Sequence, residues 1–221
     1  MPKAVIFDID GTLIDTVDLH AASWAETFRH YGVEVSHEAV RSQIGKGGDQ
    51  IMPVFLPVEL VERKGEEIEA FRKDLFLRAY FPKARAFPGV RELFERIRAA
   101  GQRIVLASSG KADEVERYGK LAGIADLLDA ATSADDAERS KPHPDIFQAA
   151  LARIEPLGAA DAIVVGDTPY DAEAARKAGL RTVGVLCGGF PESELRAAGC
   201  VAIYRDPEDL LTRYEASLLA A

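Results

Sequence analysis

The chain has 221 residues, with 27 Lys plus Arg against 36 Asp plus Glu, a net charge of −9. At 48% hydrophobic and 29% charged residues it can bury a sizeable core and is not a disordered chain. The acidic balance argues against nucleic-acid or anionic-membrane binding, because no basic stretch offsets phosphate repulsion. No apolar run approaches the ~20 residues that cross a bilayer, and the apolar start Ala4–Phe7 is cut off by Asp8, too early for a signal peptide. Two cysteines, Cys187 and Cys200, make no disulfide framework, so a reducing cytoplasm is the expected location.

The first element in chain order is a strand, Ala4–Phe7. Residues 15–82 then carry no convincing strand. Ala21, Trp24, Ala25 and Phe28 form an i, i+3, i+4, i+7 stripe, and Ser36 caps a short helix expected to end at Gly45. Leu60, Lys64, Ile68, Phe71 and Leu75 keep helical spacing from Pro57 toward Pro82. Pro88-Gly89 opens a helix with Val90, Leu93, Phe94 and Ile97 on one face, closed by Gly101. Strands follow at Ile104–Ala107 and Leu128–Ala131, and a helix from Pro144 to about Pro156 buries Ile146, Phe147, Ala150 and Leu151. A strand at Ile163–Gly166 leads to a helix from Pro169 to Ala178, stopped by Gly179. Strands at Thr182–Leu186 and Val201–Tyr204 precede a last helix from Pro207 to Leu219.

Continuous β-branched runs alternating with helices predict an α/β fold: a Rossmann-like parallel sheet with helices on both faces. Residues 1–14 and 83–221 form the expected core, and 15–82 an inserted helical cap above the carboxyl ends of the strands, where ligands of such sheets bind.

The chemistry gathers at strand exits. Asp8 and Asp10 leave the first strand at i and i+2 and so point to one side; Gly11 permits a sharp turn. Asp167 and Asp171 follow Ile163–Gly166. In a parallel sheet these exits share one rim, and four packed carboxylates need a cation or some retained protons. All-oxygen ligands with room for water favour Mg²⁺. Ser108, at a third exit, offers a hydroxyl and neighbouring free amides. Lys141 stands just before a helix start. Alone, Ser108 reads as a helix cap and Lys141 as a solvated loop residue.

Asp8-x-Asp10-Gly11-Thr12, the strand ending at Ser108, Lys141-Pro142 and Gly166-Asp167-x-x-x-Asp171 together resemble, in order, the four motifs of the haloacid dehalogenase superfamily. The branch most resembled holds phosphoglycolate phosphatase-like enzymes and β-phosphoglucomutase, and the resemblance spans essentially the whole chain. It implies that Asp8 attacks phosphorus to form an aspartyl-phosphate. Asp10, with a raised pKa, acts as acid and then base. Mg²⁺ is held by the Asp8 side chain, the Asp10 carbonyl and Asp167, with Asp171 a second-shell or water-mediated ligand. Ser108 and Lys141 bind phosphoryl oxygens. Thr12 braces the loop, and Asp15 belongs to the hinge. An aspartate rather than tyrosine at position 10 disfavours dehalogenation.

By the same resemblance, His20 couples the cap to Asp10; otherwise it packs beside Trp24. The loop Ile44–Gln50 brings Lys46, Gly47 and Gly48 as a clamp for a distal part of the substrate, or is a plain helix connection. His143 reads as loop geometry, and Gly188-Gly189 as a rim loop of undecided role. The expected function is hydrolysis of a small phosphorylated metabolite, phosphoglycolate or a sugar phosphate, by a monomer or weak dimer. A mutase is the nearest rival, and a non-catalytic binding protein a more distant one.

Overall fold

The computed structural model describes residues 1–221. Its elements, in chain order, begin with β1 (Ala4–Phe7), β2 (Ile14–Asp15), α1 (Val17–His30), α2 (His37–Arg41), α3 (Gly48–Phe55) and α4 (Val58–Leu75). After a π-helical turn at Phe76–Tyr80 come β3 (Arg85–Ala86), α5 (Val90–Ala99), β4 (Arg103–Ala107), α6 (Ala112–Leu121), β5 (Ala130–Thr132) and α7 (Asp145–Ala152). The chain finishes with β6 (Ala162–Gly166), α8 (Pro169–Lys177), β7 (Arg181–Val185), α9 (Glu192–Ala198), β8 (Cys200–Tyr204) and α10 (Pro207–Thr212).

The α/β expectation holds. Six strands pair in the order β5-β4-β1-β6-β7-β8, all parallel. Successive residues of β1 face opposite layers: Val5 and Phe7 pack with Leu93, Phe94 and Ile97 of α5, whereas Ala4 and Ile6 pack with Ile146, Phe147 and Ala150 of α7 and Ala174 and Ala175 of α8. Burial on both faces is why these strands read as unbroken apolar runs. Because β4 and β6 flank β1 on opposite sides, the strand order reverses at β1, and a crevice opens at its carboxyl end.

Helices α1–α4 bury a core of their own, with Val17, Ala21, Trp24 and Phe28 of α1 against Val40, Ile51, Met52 and Ile68. The antiparallel pair β2–β3 joins the two ends of this helical stretch.

Several boundaries differ from expectation; the helix starting near Pro144 ends at Ala152 rather than near Pro156, and the strand expected at Leu128–Ala131 runs Ala130–Thr132. The last helix stops at Thr212, not Leu219: Ser217 Oγ donates to the Tyr214 carbonyl at 2.6 Å and accepts from Leu219 N–H, and such side-chain bonds compete with helical ones. The helix capped by Ser36 ends at Arg41, short of Gly45. Gly48 belongs not to a loop but to the first turn of α3, with extended Gly47 as its cap and Asp49 complementing the helix dipole. Helices α6 and α9, and the two-residue strands β2 and β3, are additional to the elements read from the sequence.

Candidate active site

The exit of β1 is fixed by the sheet. Asp8 N–H still donates to the Val165 carbonyl at 2.9 Å, continuing the β6 ladder one residue past Phe7. The chain then turns at Gly11, whose φ of +84 suits glycine. A Cβ there would stand 2.3 Å from Asp167 Oδ2, so the bare backbone also makes room for that carboxylate. Thr12 Oγ1 donates to Asp167 Oδ1 at 2.8 Å and lies 3.3 Å from Asp8 Oδ2, so its hydroxyl bridges the two acids.

Asp8, Asp167 and Asp171 are all buried, each offering an oxygen within 4.8 Å of the others. Lys141, 0% exposed, meets this group with its ammonium: Nζ lies 2.5 Å from Asp8 Oδ1, 2.7 Å from Asp171 Oδ1 and 3.1 Å from the Ala107 carbonyl. The Asp8 and Ala107 oxygens accept hydrogen bonds from it, and Asp171 Oδ1 is its ion-pair partner. Asp171 is further committed by a reciprocal cap at the start of α8, where its Oδ2 accepts from Thr168 N–H and Oγ1 at 3.0 and 2.7 Å. With Asp171 serving Lys141 and the cap, Asp167 Oδ2 is the carboxylate oxygen left buried without any partner. A single ammonium against three carboxylates leaves two negative charges uncompensated when all are ionised. That surplus, the all-oxygen donors and the orphaned Oδ2 fit a hard divalent cation.

The electrostatics follow from burial and neighbours. Burial pushes the Asp8 carboxyl up, Lys141 pulls it back, and Asp171 and Asp10 push it up again, leaving it at about 7. Asp167 is raised well above the ordinary carboxylate range by burial and by Asp8 and Asp171. Lys141 is disfavoured by burial, but Asp171 and Asp8 more than offset this and keep its ammonium charged.

Asp10 departs from the raised pKa that the family resemblance implies. Burial alone would raise it. The His20 ring, hydrogen-bonded to the carboxyl, together with hydrogen bonds from Thr16 and Tyr118, outweighs burial and holds it below the ordinary carboxylate range. Thr16 Oγ1 donates to Asp10 Oδ1 at 2.6 Å, and His20 Nε2 lies 2.8 Å from the same oxygen. Behind the ring, Arg72 Nη2 stands 2.8 Å from His20 Nδ1. An arginine only donates, so Nδ1 accepts and the proton on Nε2 points at Asp10. His20 stacks on Phe76 at 4.1 Å, and Arg72 is ion-paired with buried Glu114 at 3.3 Å.

A polar cavity of about 480 Å³ is lined by Asp8, Asp10 and His20 and, on its other walls, by Lys46, Gly47 and Gly48. Ser109 and Gly110 line it at the β4 exit. Ser108 is buried just behind them, its Oγ accepting from Gly110 N–H at 3.0 Å. Lys46 Nζ donates to Gln43 Oε1 at 2.6 Å and sits 4.5 Å from the Tyr170 ring centre. A Cβ on Gly47 would fall 2.0 Å from Ser140 Oγ, next to Lys141, so α3 rests its bare N-terminus on the loop carrying the lysine. Asp15 lies apart, exposed on β2. His143 is half-buried and absent from the cavity wall.

Sequence reasoning missed Arg72, Glu114 and Tyr118. Arg72 and Glu114 read as ordinary helix-face charges. The signal for Arg72 was its place one turn after Ile68 on the packed side of α4. Gly188 was left undecided; a Cβ there would lie 1.7 Å from Asp167 Oδ2.

Comparisons with known proteins agree with this geometry. The family of haloacid dehalogenase-like hydrolases matches residues 5–185. A phosphoglycolate phosphatase of Nitrosospira multiformis is 30% identical over 91% of this chain and 90% of its own. Pyrophosphatase PpaX of Bacillus velezensis is 31% identical over 82% of each chain. The crystal structure of a hydrolase from Pseudomonas syringae superposes with a TM-score of 0.84 at 29% identity, covering 96% of this chain and 98% of that one.

Proposed function

The chain belongs to the family of haloacid dehalogenase-like hydrolases, and we propose that it is a Mg²⁺-dependent phosphatase hydrolysing a small organic phosphate monoester through an aspartyl-phosphate on Asp8. The observation that carries this reading is Asp8 itself: a buried carboxylate at the strand-order reversal, held by Lys141, beside an Asp167 oxygen with no partner, and opening on a polar cavity. Residues 15–82 act as the cap over that cavity. No helix is long and apolar enough to cross a membrane, and the two free thiols suit a reducing cytoplasm.

In the first step an Asp8 carboxylate oxygen bonds to phosphorus while the ester P–O bond breaks, and Asp10 gives its proton to the departing oxygen. In the second, Asp10 takes a proton from water, the water oxygen bonds to phosphorus, and the Asp8 O–P bond breaks. The substrate-free Asp10 is ionised, as the second step requires. Its proton for the first step is taken up from solvent as the substrate binds, because the dianionic phosphate raises a neighbouring carboxyl. Lys141 holds Asp8 in place and, with Ser108 and the amides beside it, faces the phosphoryl oxygens. Asp8, Asp167 and the Asp10 carbonyl would hold Mg²⁺, which supplies positive charge against the phosphoryl group. Asp171 works through Lys141 rather than as a direct ligand.

Hydrolysis is favoured over a mutase because a mutase must grip a second phosphate, and Lys46 already serves Gln43 and Tyr170. The test is phosphate release from a panel of monoesters with and without Mg²⁺. The expected result is turnover that chelation abolishes and Mg²⁺ restores, with Asp8→Asn losing at least ~10³-fold. Unchanged turnover in Asp8→Asn, or sustained isomerisation of β-glucose 1-phosphate without free phosphate, overturns the reading.

A further inference from the structure

The cavity wall away from Asp8 carries its own charge arrangement. Three cations on it are spent on acids of this chain: Arg72 on Glu114 at 3.3 Å, Lys73 on Asp113 at 2.8 Å and Lys111 on Asp135 at 3.3 Å. Lys46 has no carboxylate partner, but its ammonium leans toward the Tyr170 ring and Gln43. Two acids on the same wall, Glu66 and Glu69, make neither a hydrogen bond nor an ion pair. Both belong to α4, three residues apart, and so share one helix face.

Glu69 is the better placed of the two. It is half-buried, whereas Glu66 is exposed. Its carboxyl packs on the first turn of α3: a Cβ added to Gly48 would meet Glu69 Cδ and Oε1 at 3.3 Å and Trp24 Cζ2 at 3.2 Å. Gly48 thus keeps clear the space in which this carboxylate and the Trp24 edge stand side by side. A carboxylate held there accepts hydrogen bonds and donates none. A hydroxyl suits it, and a second anion is repelled by it at close range in a partly dehydrated pocket.

We propose that Glu69 is a specificity-determining residue that admits esters with uncharged, hydroxyl-bearing leaving groups and turns away those bearing a second negative charge. This rests on the phosphatase reading above. It separates the chain from the relatives whose names specify phosphoglycolate or pyrophosphate, because both of those molecules bring a second anion beside the phosphoryl group transferred.

The test uses ester pairs that differ only by CH₂OH against carboxylate: 2-hydroxyethyl phosphate with phosphoglycolate, and glycerol 3-phosphate with 3-phosphoglycerate. kcat/KM is measured with Mg²⁺ for the unaltered enzyme and for Glu69→Gln, which keeps shape and removes charge. The expected unaltered enzyme prefers the hydroxyl member of each pair by about tenfold or more. In Glu69→Gln that ratio narrows at least ~5-fold, through faster turnover of the carboxylate members. A preference for the carboxylate members, or a ratio that Glu69→Gln leaves unmoved, overturns the proposal. Should the variant misfold, the ratio in the unaltered enzyme still decides. Hydrolysis of p-nitrophenyl phosphate by the unaltered enzyme reports on the phosphatase reading alone. Turnover of that ester without charge discrimination defeats only the role of Glu69, whereas no turnover of any ester defeats both.

Discussion

His20 Nε2 points its proton at Asp10 Oδ1 across 2.8 Å, and it does so because Arg72 occupies the other ring nitrogen. A residue of α1 and one of α4 thereby set the orientation and ionisation of a residue at the exit of β1. Replacing His20 by Ala removes the donor and the ring stacked on Phe76. Its kcat/KM should fall about 10²-fold, the scale of a positioned acid–base group, with the acid limb of the pH profile moved upward as Asp10 loses its hold. His20→Gln, which can still donate to Asp10, should recover part of the loss. Equal losses with unmoved pH profiles would contradict the link.

Lys141 and Asp8 should have opposite effects on stability. Lys141→Met leaves three buried carboxylates facing one another, and breaking such a pair costs about 3–5 kcal/mol. Asp8 is different, because its folded pKa of about 7 lies above its ordinary value of 3.8. The fold therefore favours the protonated form, and this group removes stability from the metal-free protein as pH rises from about 4 to 7. Thermal melts without metal should show Tm declining over that range, and Asp8→Asn should flatten the decline. An identical slope in both proteins would refute the assignment.

The same raised carboxyls make cation binding compete with protons. Asp8 and Asp167 must be ionised to hold a metal, and both are pushed upward in its absence. Mg²⁺ affinity should weaken as pH falls below about 7, and calorimetry in buffers of different ionisation enthalpy should detect proton release on binding. Binding that is independent of pH between 6 and 8 would count against these ligands.

Gly188→Ala offers a test that replaces no charged group. Its backbone lies outside the left-handed region, so alanine adds no torsional strain, but the new methyl would sit 1.7 Å from Asp167 Oδ2. The variant should fold, lose the rise in Tm that Mg²⁺ gives the unaltered protein, and lose phosphate release with it. Retained Mg²⁺ stabilisation would show that Asp167 Oδ2 is not a ligand.

The parts of the molecule that sequence patterns reveal are those that burial writes into them. β1 reads as Ala4–Phe7 to the residue because all four side chains are buried, and α5 shows its buried face because Val90, Leu93, Phe94 and Ile97 recur at helical spacing. β2 and β3, two residues each, are too short for any period. α10 ends early through hydrogen bonds of Ser217 that composition does not announce. At the site, spacing brought Asp8, Asp10, Asp167 and Asp171 to one rim, but it did not reveal that Asp171 is taken up by Lys141 and Thr168. Nor could it show the low pKa of Asp10, to which a ring from α1 contributes with Thr16 and Tyr118, that ring being oriented by a guanidinium 52 positions further along the chain. Glu69 and Arg72 stayed hidden because a charge on an amphipathic helix ordinarily faces water.

The account stands most directly on where phosphorus is carried during turnover. The enzyme is mixed with a substrate ester and Mg²⁺, quenched in acid within the steady state and treated with borohydride, which reduces an acyl phosphate to an alcohol. Peptide mass spectrometry should then find homoserine in place of aspartate at position 8 and nowhere else. Continued phosphate release with residue 8 unmodified, or with the reduced residue at another carboxylate, would contradict it.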